Sequence, residues 1–303
     1  MSANKSFTIR VPATTANLGS GFDCLGLALG LYNTIQVVRA QAFELIVEGE
    51  GAASLPRHAG NRVAQAMQRA CESIGQPLPP LRLRMRNAIP LARGLGSSAA
   101  AAVGGILAAN HWYGDPLSPG DLLRLATDLE GHPDNVAPAL LGGLCVVAVD
   151  EGRPVAVKIE WPPALRCVVF VPDAPLSTAK ARAVLPATLT RADAVFNVGR
   201  AALWVAALTQ SRFELLRLAT QDRIHQPYRS KLIAGFDDVV AAALQAGARG
   251  GFLSGAGSSI AAVADSAHAQ IADAMRRAAQ AAGLPGTVHV LDGERSGARI
   301  DDA

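Results

Sequence analysis

The sequence of 303 residues has few cysteines and few aromatic residues, and it lacks any long apolar run. Its four cysteines, Cys24, Cys71, Cys145 and Cys167, lie far apart and form no CxxC pair. That spacing argues against a zinc site and against a disulfide framework. Few cysteines in a long chain favour a reduced, intracellular protein.

No membrane or export signal is visible. The first 19 residues lack the apolar segment of a signal peptide. The longest apolar run, residues 137–149, is shorter than the ~18 residues that a membrane helix needs. We therefore expect a cytoplasmic protein that does not bind membranes.

The charge is modest, with a formal net value of +3. Lysine and arginine are scattered along the chain rather than gathered into a stripe, so a nucleic-acid partner is not expected. The chain is 50% hydrophobic and 17% charged, which is typical of a globular protein. Its length suits one large domain or two modest ones.

The order of predicted elements indicates an α+β fold. Alternating segments such as LRLRMRNAIP predict strands, and NRVAQAMQRACESIG has helical spacing, with Gly75 as a stop signal. Strands and helices mix without a regular βαβ order, which argues against a doubly wound sheet. The Pro-rich and charged residues 151–165 look like a boundary. We therefore expect an N-terminal domain over residues 1–155 and a C-terminal domain over residues 156–303.

A glycine-rich segment, PLARGLGSSAA (Pro90–Ala100), separates a strand from a helix of small residues. The first turn of a helix has unpaired N–H groups, and glycines let an anion approach them closely. The segment therefore predicts a phosphate site, although a close-packed helix start is the alternative. It is no Walker A loop, because the lysine is missing. A dinucleotide site would need an acidic residue ending the next strand, but Asp115 falls in a turn.

The same eleven residues resemble the central phosphate loop of the GHMP kinases, a superfamily of small-molecule kinases. Residues 11–29 and 250–263 resemble its first and third glycine motifs, and the three segments contain the related sequences NLGSG, GLGSS and GAGSS. With EGHPDNVAPALLGG and IHQPYR, they resemble the homoserine kinase branch. The resemblance implies a ribosomal-protein-S5-like N-terminal domain and a ferredoxin-like C-terminal domain. Three related Gly-Ser turns are expected to meet at one ligand.

The resemblance also implies where ATP and Mg²⁺ bind. The residues assigned to ATP are Asn61, Pro90, Leu91, Ala92, Arg93, Gly94, Leu95, Gly96, Ser97, Ser98, Ala99 and Ala100. Ser98 and Glu130 match the positions associated with the metal, and oxygen ligands suit Mg²⁺. Taken alone, Asn61 could equally be a helix cap, and Glu130 an exposed acid at a helix end.

The acceptor implied by the resemblance is L-homoserine, which carries an ammonium group, a carboxylate and a primary alcohol. The residues assigned to it are Asn17, Asp23, His132, Asn135, Thr178, Arg182 and Arg229. An arginine can bind both oxygens of a carboxylate. His132, Asn135 and Arg182 are the expected catalytic residues, with Asn135 and His132 positioning the alcohol.

Asn135 stands where related sugar and mevalonate kinases have a catalytic aspartate, and an amide is no base at neutral pH. We therefore expect the alcohol to attack the γ-phosphate directly, because a loose transition state demands little of a base. His225 and Gln226 either shape the pocket or pack in the core. Ser20, where these enzymes commonly have proline, is expected to loosen its turn.

Two other functions stay open. The chain could be another GHMP kinase, acting on mevalonate or a sugar, or a ligand-binding relative without catalytic activity. Arg182 and Arg229 together with Asn135 argue against the first alternative. Intact Ser98 and Glu130 argue against the second. The relatives also imply a homodimer.

Overall fold

The structure is a computed structural model, and it describes residues 6–302. The strands are β1 (Ser6–Asn17), β2 (Gly21–Arg39), β3 (Glu44–Gly49), β4 (Leu81–Asn87), β5 (Leu144–Asp150), β6 (Arg153–Ile159), β7 (Arg166–Pro172), β8 (Gly250–Leu253), β9 (Ile260–Ala264), β10 (Gly286–Asp292) and β11 (Arg299–Asp302). The helices are α1 (Arg62–Ser73), α2 (Ser97–Trp112), α3 (Pro119–Glu130), α4 (Val136–Leu141), α5 (Thr178–Ala183), α6 (Arg191–Thr209), α7 (Leu216–Ala219), α8 (Gln226–Arg229), α9 (Phe236–Gln245) and α10 (His268–Ala281).

The first sheet has seven strands organised around the long strand β2. β1 pairs with β2 on one side, while β4 and β5 pair with different parts of its other side. Among the strands of residues 6–302 in this sheet, β3 and β4 are the one pair that runs parallel. On β4, Leu81, Leu83 and Met85 are buried, and the alternating arginines face outward. The predicted amphipathic strand is thus confirmed.

The second sheet is antiparallel, in the order β10-β7-β9-β8. Both faces of β7 are covered. Val168 and Phe170 belong to a core cluster with residues of α9 and α10, whereas Val169 and Val171 belong to the large core of the first sheet. The two sheets therefore share apolar packing, and the cleft described below lies between their loops.

The α+β prediction is confirmed, but the boundary segment is not a plain linker. Residues 153–159 form β6, which pairs with β5 in the first sheet. The alternation of Val155, Val157 and Ile159 is typical of a strand. The proline and the charged residues of the segment had instead favoured a domain boundary. The C-terminal strand β11 also returns to pair with β1. The division into domains at residue 155 stays a prediction, and it would cut through β6.

Helix α2 is buried on nearly all sides, as its small residues predict. Its close contact with α1 depends on Gly105, since a Cβ there would lie 2.4 Å from the carbonyl oxygen of Val63. The phosphate-loop segment therefore leads into a helix that the core holds in place.

Within residues 6–302, no helix is long and apolar enough to span a bilayer.

We predict opposite effects for alanine at two helical glycines. Gly105→Ala should destabilise the fold by about 1–3 kcal/mol, because α1 leaves no room for a methyl group. Gly199→Ala in α6, where nothing lies within 4 Å of an added Cβ, should instead stabilise it by about 0.5–1 kcal/mol. Urea unfolding of both variants checks this pair. Equal effects would contradict the packing described for α1 and α2.

Candidate active site

The second and third glycine motifs are joined by direct hydrogen bonds. The hydroxyl of Ser254 donates to the carbonyl of Gly94 at 2.7 Å. The backbone N–H of Ser259 donates to the carbonyl of Arg93 at 3.1 Å. The loop before α2 is thereby fixed to the loop between β8 and β9.

The first glycine motif joins the same junction. Thr14 N–H donates to the carbonyl of Leu95, and Gly255 N–H donates to the carbonyl of Ala16. The side-chain amide of Asn17 adds a 2.8 Å bond to the carbonyl of Gly255. The structure thus brings together the three Gly-Ser turns that the sequence repeats.

Glycine is required at two places in this junction because the backbones approach so closely. Gly94 and Gly96 have φ of 73° and 68°, in the left-handed region. A Cβ on Gly94 would lie 2.1 Å from the carbonyl oxygen of Ser254, and one on Gly96 would lie 1.9 Å from Oγ1 of Thr14. Any other residue would push the loops apart.

The first turn of α2 is open to a ligand. Gly96 precedes the helix, and no side chain among residues 6–302 caps it. Helices α1, α3, α5 and α6, by contrast, are each capped by the side chain of the preceding residue. The unpaired N–H groups and the positive end of the helix dipole therefore face the cleft, where they can bind an anion.

This cleft is partly open, and its space of about 670 Å³ is continuous with solvent. Its lining combines the loop before α2 with residues from α3, α5, α8 and both other glycine motifs. The lining residues are Asn17, Asp23, Pro90, Ala92, Arg93, Gly94, Leu95, Gly96, Ser97, Ser98, Ala99, Glu130, His132, Asp134, Asn135, Thr178, Arg182, Arg229, Gly255 and Ala256.

Two hard oxygen donors lie side by side in the cleft. Ser98 is the second residue of α2, and its hydroxyl donates to Glu130 Oε1 at 2.7 Å. Glu130 ends α3, and its side chain is 8% exposed. Serine and carboxylate oxygens are ligands that Mg²⁺ accepts, with phosphate and water completing the shell. The pair therefore fits the predicted metal position.

The turn between α3 and α4 places a buried carboxylate behind two polar side chains. Asp134 Oδ1 lies 3.2 Å from His132 Nδ1 and 3.4 Å from the amide nitrogen of Asn135. The adjacent Asp134 carboxylate raises the pKa of His132, and burial of the ring opposes this. Asn135 Oδ1 accepts a 2.8 Å bond from Thr14. The amide of Asn135 is therefore held by the first motif.

An ion pair connects the two sides of the cleft. Arg182 in α5 donates from both terminal nitrogens to Asp23, at 2.9 and 3.1 Å. The N–H of Asp23 donates to Asn17 Oδ1, which holds that turn in a left-handed conformation at φ 56°. Each partner is more than one-third exposed, so the pair contributes little to stability and is accessible to a charged ligand.

Arg229 brings a second cation, and this one is buried. Its side chain is 1% exposed, and none of the ion pairs in the described part of the chain includes it. Nε donates to the carbonyl of Ala181, and burial lowers the pKa of its guanidinium. A buried charge without a counter-ion is costly, so the site is prepared to accept an anion.

Known proteins match this chain over nearly all of its length. The models for the GHMP kinases N terminal domain and the GHMP kinases C terminal match residues 61–143 and 204–281. The homoserine kinase of Desulfitobacterium hafniense is 44% identical over 96% of this chain and 99% of its own length. That of Synechocystis sp. is 46% identical over 97% and 98%. The chain belongs to the homoserine kinase family.

Solved structures agree with this membership of the homoserine kinase family. The crystal structure of homoserine kinase from Cytophaga hutchinsonii matches with a TM-score of 0.91, 33% identity and coverage of 99% of this chain and 98% of that one. Mevalonate kinase from L. major matches with a TM-score of 0.68 and 16% identity, covering 98% of this chain and 97% of that one, which shows the shared fold alone. The chain is thus a kinase with the GHMP fold.

Not every residue assigned from the family lines the cleft. Three do not: Asn61, Leu91 and Ala100. Asn61 is the N-cap of α1, where Oδ1 accepts from Val63 N–H and the amide donates to the carbonyl of Pro56. The structure therefore shows the cap that the sequence offered as an alternative, and a contact with adenine stays a prediction.

Arg93 lines the cleft, but its guanidinium is committed to the protein. It donates to the carbonyls of Pro172, Leu91 and Asp173. These bonds attach the loop before α2 to the end of β7. We therefore assign Arg93 a role in fixing the loop, whereas its neighbours provide the open N–H groups.

The expected loosening at Ser20 finds no support in its contacts. The residue is 3% exposed, and its hydroxyl donates to the carbonyl of Ala219 at 2.7 Å. The carbonyl of Ser20 accepts from Asn197 at 3.1 Å. The hydrogen bond from Ser20 to α7 therefore holds this turn in place where proline would otherwise restrict it.

The sequence did not decide whether His225 and Gln226 shape the pocket or pack in the core. In the structure, both hydrogen-bond to residues in or next to the site. His225 is fully buried, and burial lowers its pKa. The neutral ring donates from Nε2 to the carbonyl of Gly19 at 2.8 Å and offers Nδ1 to Arg229 at 3.4 Å. The amide oxygen of Gln226 accepts from Leu253 N–H, just before the third motif.

Sequence reasoning missed Phe22 and Asp222. The Phe22 ring stacks on His225 and faces the guanidinium groups of Arg229 and Arg182, at 5.1 and 5.7 Å from its centroid. Asp222 accepts from the N–H groups of residues 224, 225 and 226 and so fixes the turn into α8. Asp222 lies three residues before His225, where an Asx turn could have been predicted.

We predict that Asp134→Asn lowers the pKa of His132. The carboxylate favours the charged ring, so its replacement by an amide removes the main cause of the raised pKa. In the wild type, the stability gained from this pair is present at low pH and is lost as the pH rises through the pKa of His132. NMR titration of the imidazole C–H signals, with His132→Gln for assignment, measures the midpoint. An unchanged midpoint would contradict the pairing.

Proposed function

We propose that this chain transfers the γ-phosphoryl group of ATP to the hydroxyl of L-homoserine. The product would be O-phospho-L-homoserine, on the route to threonine. The observation that carries the proposal is a set of charges opposite the N-terminus of α2. Asp23, Arg182 and Arg229 line one cleft with the uncapped helix start.

The charges suit an α-amino acid. The Asp23 carboxylate can accept the ammonium group, together with the carbonyls of the first motif. Arg182 and Arg229 can bind the carboxylate, and Arg229 would gain the counter-ion that it lacks within residues 6–302. Arg182 is bound to Asp23 in this structure. A bound zwitterion would give each of them a new counter-ion, with its ammonium group on Asp23 and its carboxylate on Arg182.

The nucleotide end of the cleft supports ATP as donor. Open N–H groups at the start of α2 can bind phosphate oxygens, and the close contacts at Gly94 and Gly96 hold the loop that leads into this helix. Ser98 and Glu130 would hold Mg²⁺, which neutralises charge on the phosphates when bound. This division leaves the middle of the cleft for the reacting alcohol.

The reaction needs positioning more than a base. The hydroxyl oxygen of homoserine forms a bond to the γ-phosphorus while the bond to the bridging oxygen of ADP breaks. Asn135 and His132 orient the alcohol, Arg182 compensates developing negative charge, and the hydroxyl proton passes to an oxygen of the transferred group. Thr178 starts α5 and lines the cleft one helical turn before Arg182.

Release of ADP tests the substrate directly. L-Homoserine, mevalonate and galactose are compared at equal concentrations with Mg²⁺ and ATP. We expect turnover with homoserine alone. Turnover with mevalonate or galactose would favour another kinase of the superfamily, and ATP binding without turnover on any of them would favour a ligand-binding relative.

We also propose a cytoplasmic homodimer, as the family resemblance implies. Light scattering after gel filtration gives the mass in solution, which is expected to be twice the 31.3 kDa of one chain. A mass of one chain across the micromolar range would contradict the dimer.

We predict that Arg182→Ala raises KM for homoserine about 10- to 100-fold, because a hydrogen bond to a charged group is worth about 1.5–3 kcal/mol. KM for ATP should stay unchanged. The matched control is 3-amino-1-propanol, an alcohol without the carboxylate, whose KM should hardly respond. Equal effects on both acceptors would show that Arg182 does not bind the carboxylate.

We predict that Asp134→Asn keeps kcat within about tenfold of the wild type. A general base is worth about 10²- to 10⁴-fold, so loss of one would be evident. Steady-state kinetics with saturating ATP and homoserine give kcat. A fall beyond 100-fold with both KM values intact would identify Asp134 as the base.

A further inference from the structure

The carboxylate of Glu130 has two differently placed oxygens. Oε1 accepts three hydrogen bonds, from Arg62 Nε at 3.1 Å, from Arg62 Nη2 at 2.6 Å and from Ser98 Oγ at 2.7 Å. No hydrogen bond to Oε2 occurs within residues 6–302, and the residue lines the cleft. One oxygen is therefore occupied and the other is available.

We propose that Arg62 is a positioning residue, which holds Glu130 so that Oε2 is presented to the divalent cation. The inference rests on the proposed function to the extent that Mg²⁺ accompanies ATP in this cleft. Neither the sequence motifs nor the family resemblance assigns Arg62 to the site.

Arg62 can hold the carboxylate in place because its backbone belongs to α1 and its guanidinium is bonded to α3. It is the first residue of α1, directly after the capping residue Asn61. Its Nη2 also donates to the carbonyl of Leu129, the neighbour of Glu130 in α3. The guanidinium thus connects the start of one helix to the end of another, and rotation of the Glu130 side chain would break both of its bonds to Arg62 as well as the bond from Ser98.

Arg62 Nε and Nη2 both donate to Oε1, and Ser98 donates to the same atom. These three donors hold Oε1 in place more firmly than a single ammonium group could, and Oε2 is left to point away from them. Partners that hydrogen-bond to metal ligands orient them, and their loss typically weakens metal binding about 10- to 100-fold.

Loss of Arg62 could also strengthen metal binding. A guanidinium charge beside the carboxylate repels an incoming cation, so a purely electrostatic role would let Arg62→Ala bind metal more tightly. Orientation and repulsion therefore predict changes of opposite sign in the same measurement.

The test is a titration of Mn²⁺, read by electron paramagnetic resonance, in the presence of a non-hydrolysable ATP analogue. Arg62→Ala is expected to weaken Mn²⁺ binding about 10- to 100-fold, and Arg62→Lys to lie between Arg62→Ala and the wild type. Unchanged or tighter binding in Arg62→Ala would overturn the proposal. Glu130→Gln should also weaken binding, and its failure to do so would equally overturn it.

The matched control is Arg82→Ala. Arg82 makes a 2.7 Å ion pair with Glu44 on the open face of the first sheet, with both side chains about half exposed. Its loss should leave the titration unchanged, and a comparable weakening there would overturn the local role of Arg62. If Arg62→Ala does not fold, Arg62→Lys alone decides the result.

The titration is independent of the acceptor substrate. If the wild type does not phosphorylate homoserine, the proposed function fails, but the effect of Arg62 on Mn²⁺ is still measured. In active enzyme, Arg62→Ala should raise the Mg²⁺ concentration for half-maximal rate far more than it lowers kcat.

Discussion

The close approach of three glycine loops is the constraint on which the site depends. The loop before α2 touches the first motif through Leu95 and the third through Gly94. Neither contact tolerates a side chain at Gly94 or Gly96. The N-terminus of α2 is thereby left open, while every loop around it is tied to another. The hydrogen bonds among the three loops hold the anion site in place.

The charged groups around the cleft can all take part in binding a ligand of mixed charge. Arg182 and Asp23 satisfy each other in this structure, whereas Arg229 is buried without a carboxylate partner in residues 6–302. Neutral His225 stacks on Phe22 and accepts from Arg229 without adding a charge. An amino acid would supply a carboxylate for the arginines and an ammonium group for Asp23. The same arrangement would disfavour neutral sugars, which offer no carboxylate.

Local patterns predicted the elements well, because periodicity and glycine placement are local properties. The buried helix after Ser97 and the amphipathic strand β4 followed from them directly. The strand β6 and the return of β11 depended on pairing with distant residues, so composition alone misjudged the first and did not predict the second. Family motifs supplied the site residues, and most of them line one cleft. They could not reveal that Arg93 is bound to backbone carbonyls or that Arg62 reaches Glu130.

A crystal structure with a non-hydrolysable ATP analogue, Mg²⁺ and L-homoserine would show whether the open start of α2 binds phosphate. We expect phosphate oxygens about 3 Å from the N–H groups there, with the amino acid between Asp23 and the two arginines. Phosphates bound elsewhere, or an amino acid bound while Arg182 still pairs with Asp23, would contradict it.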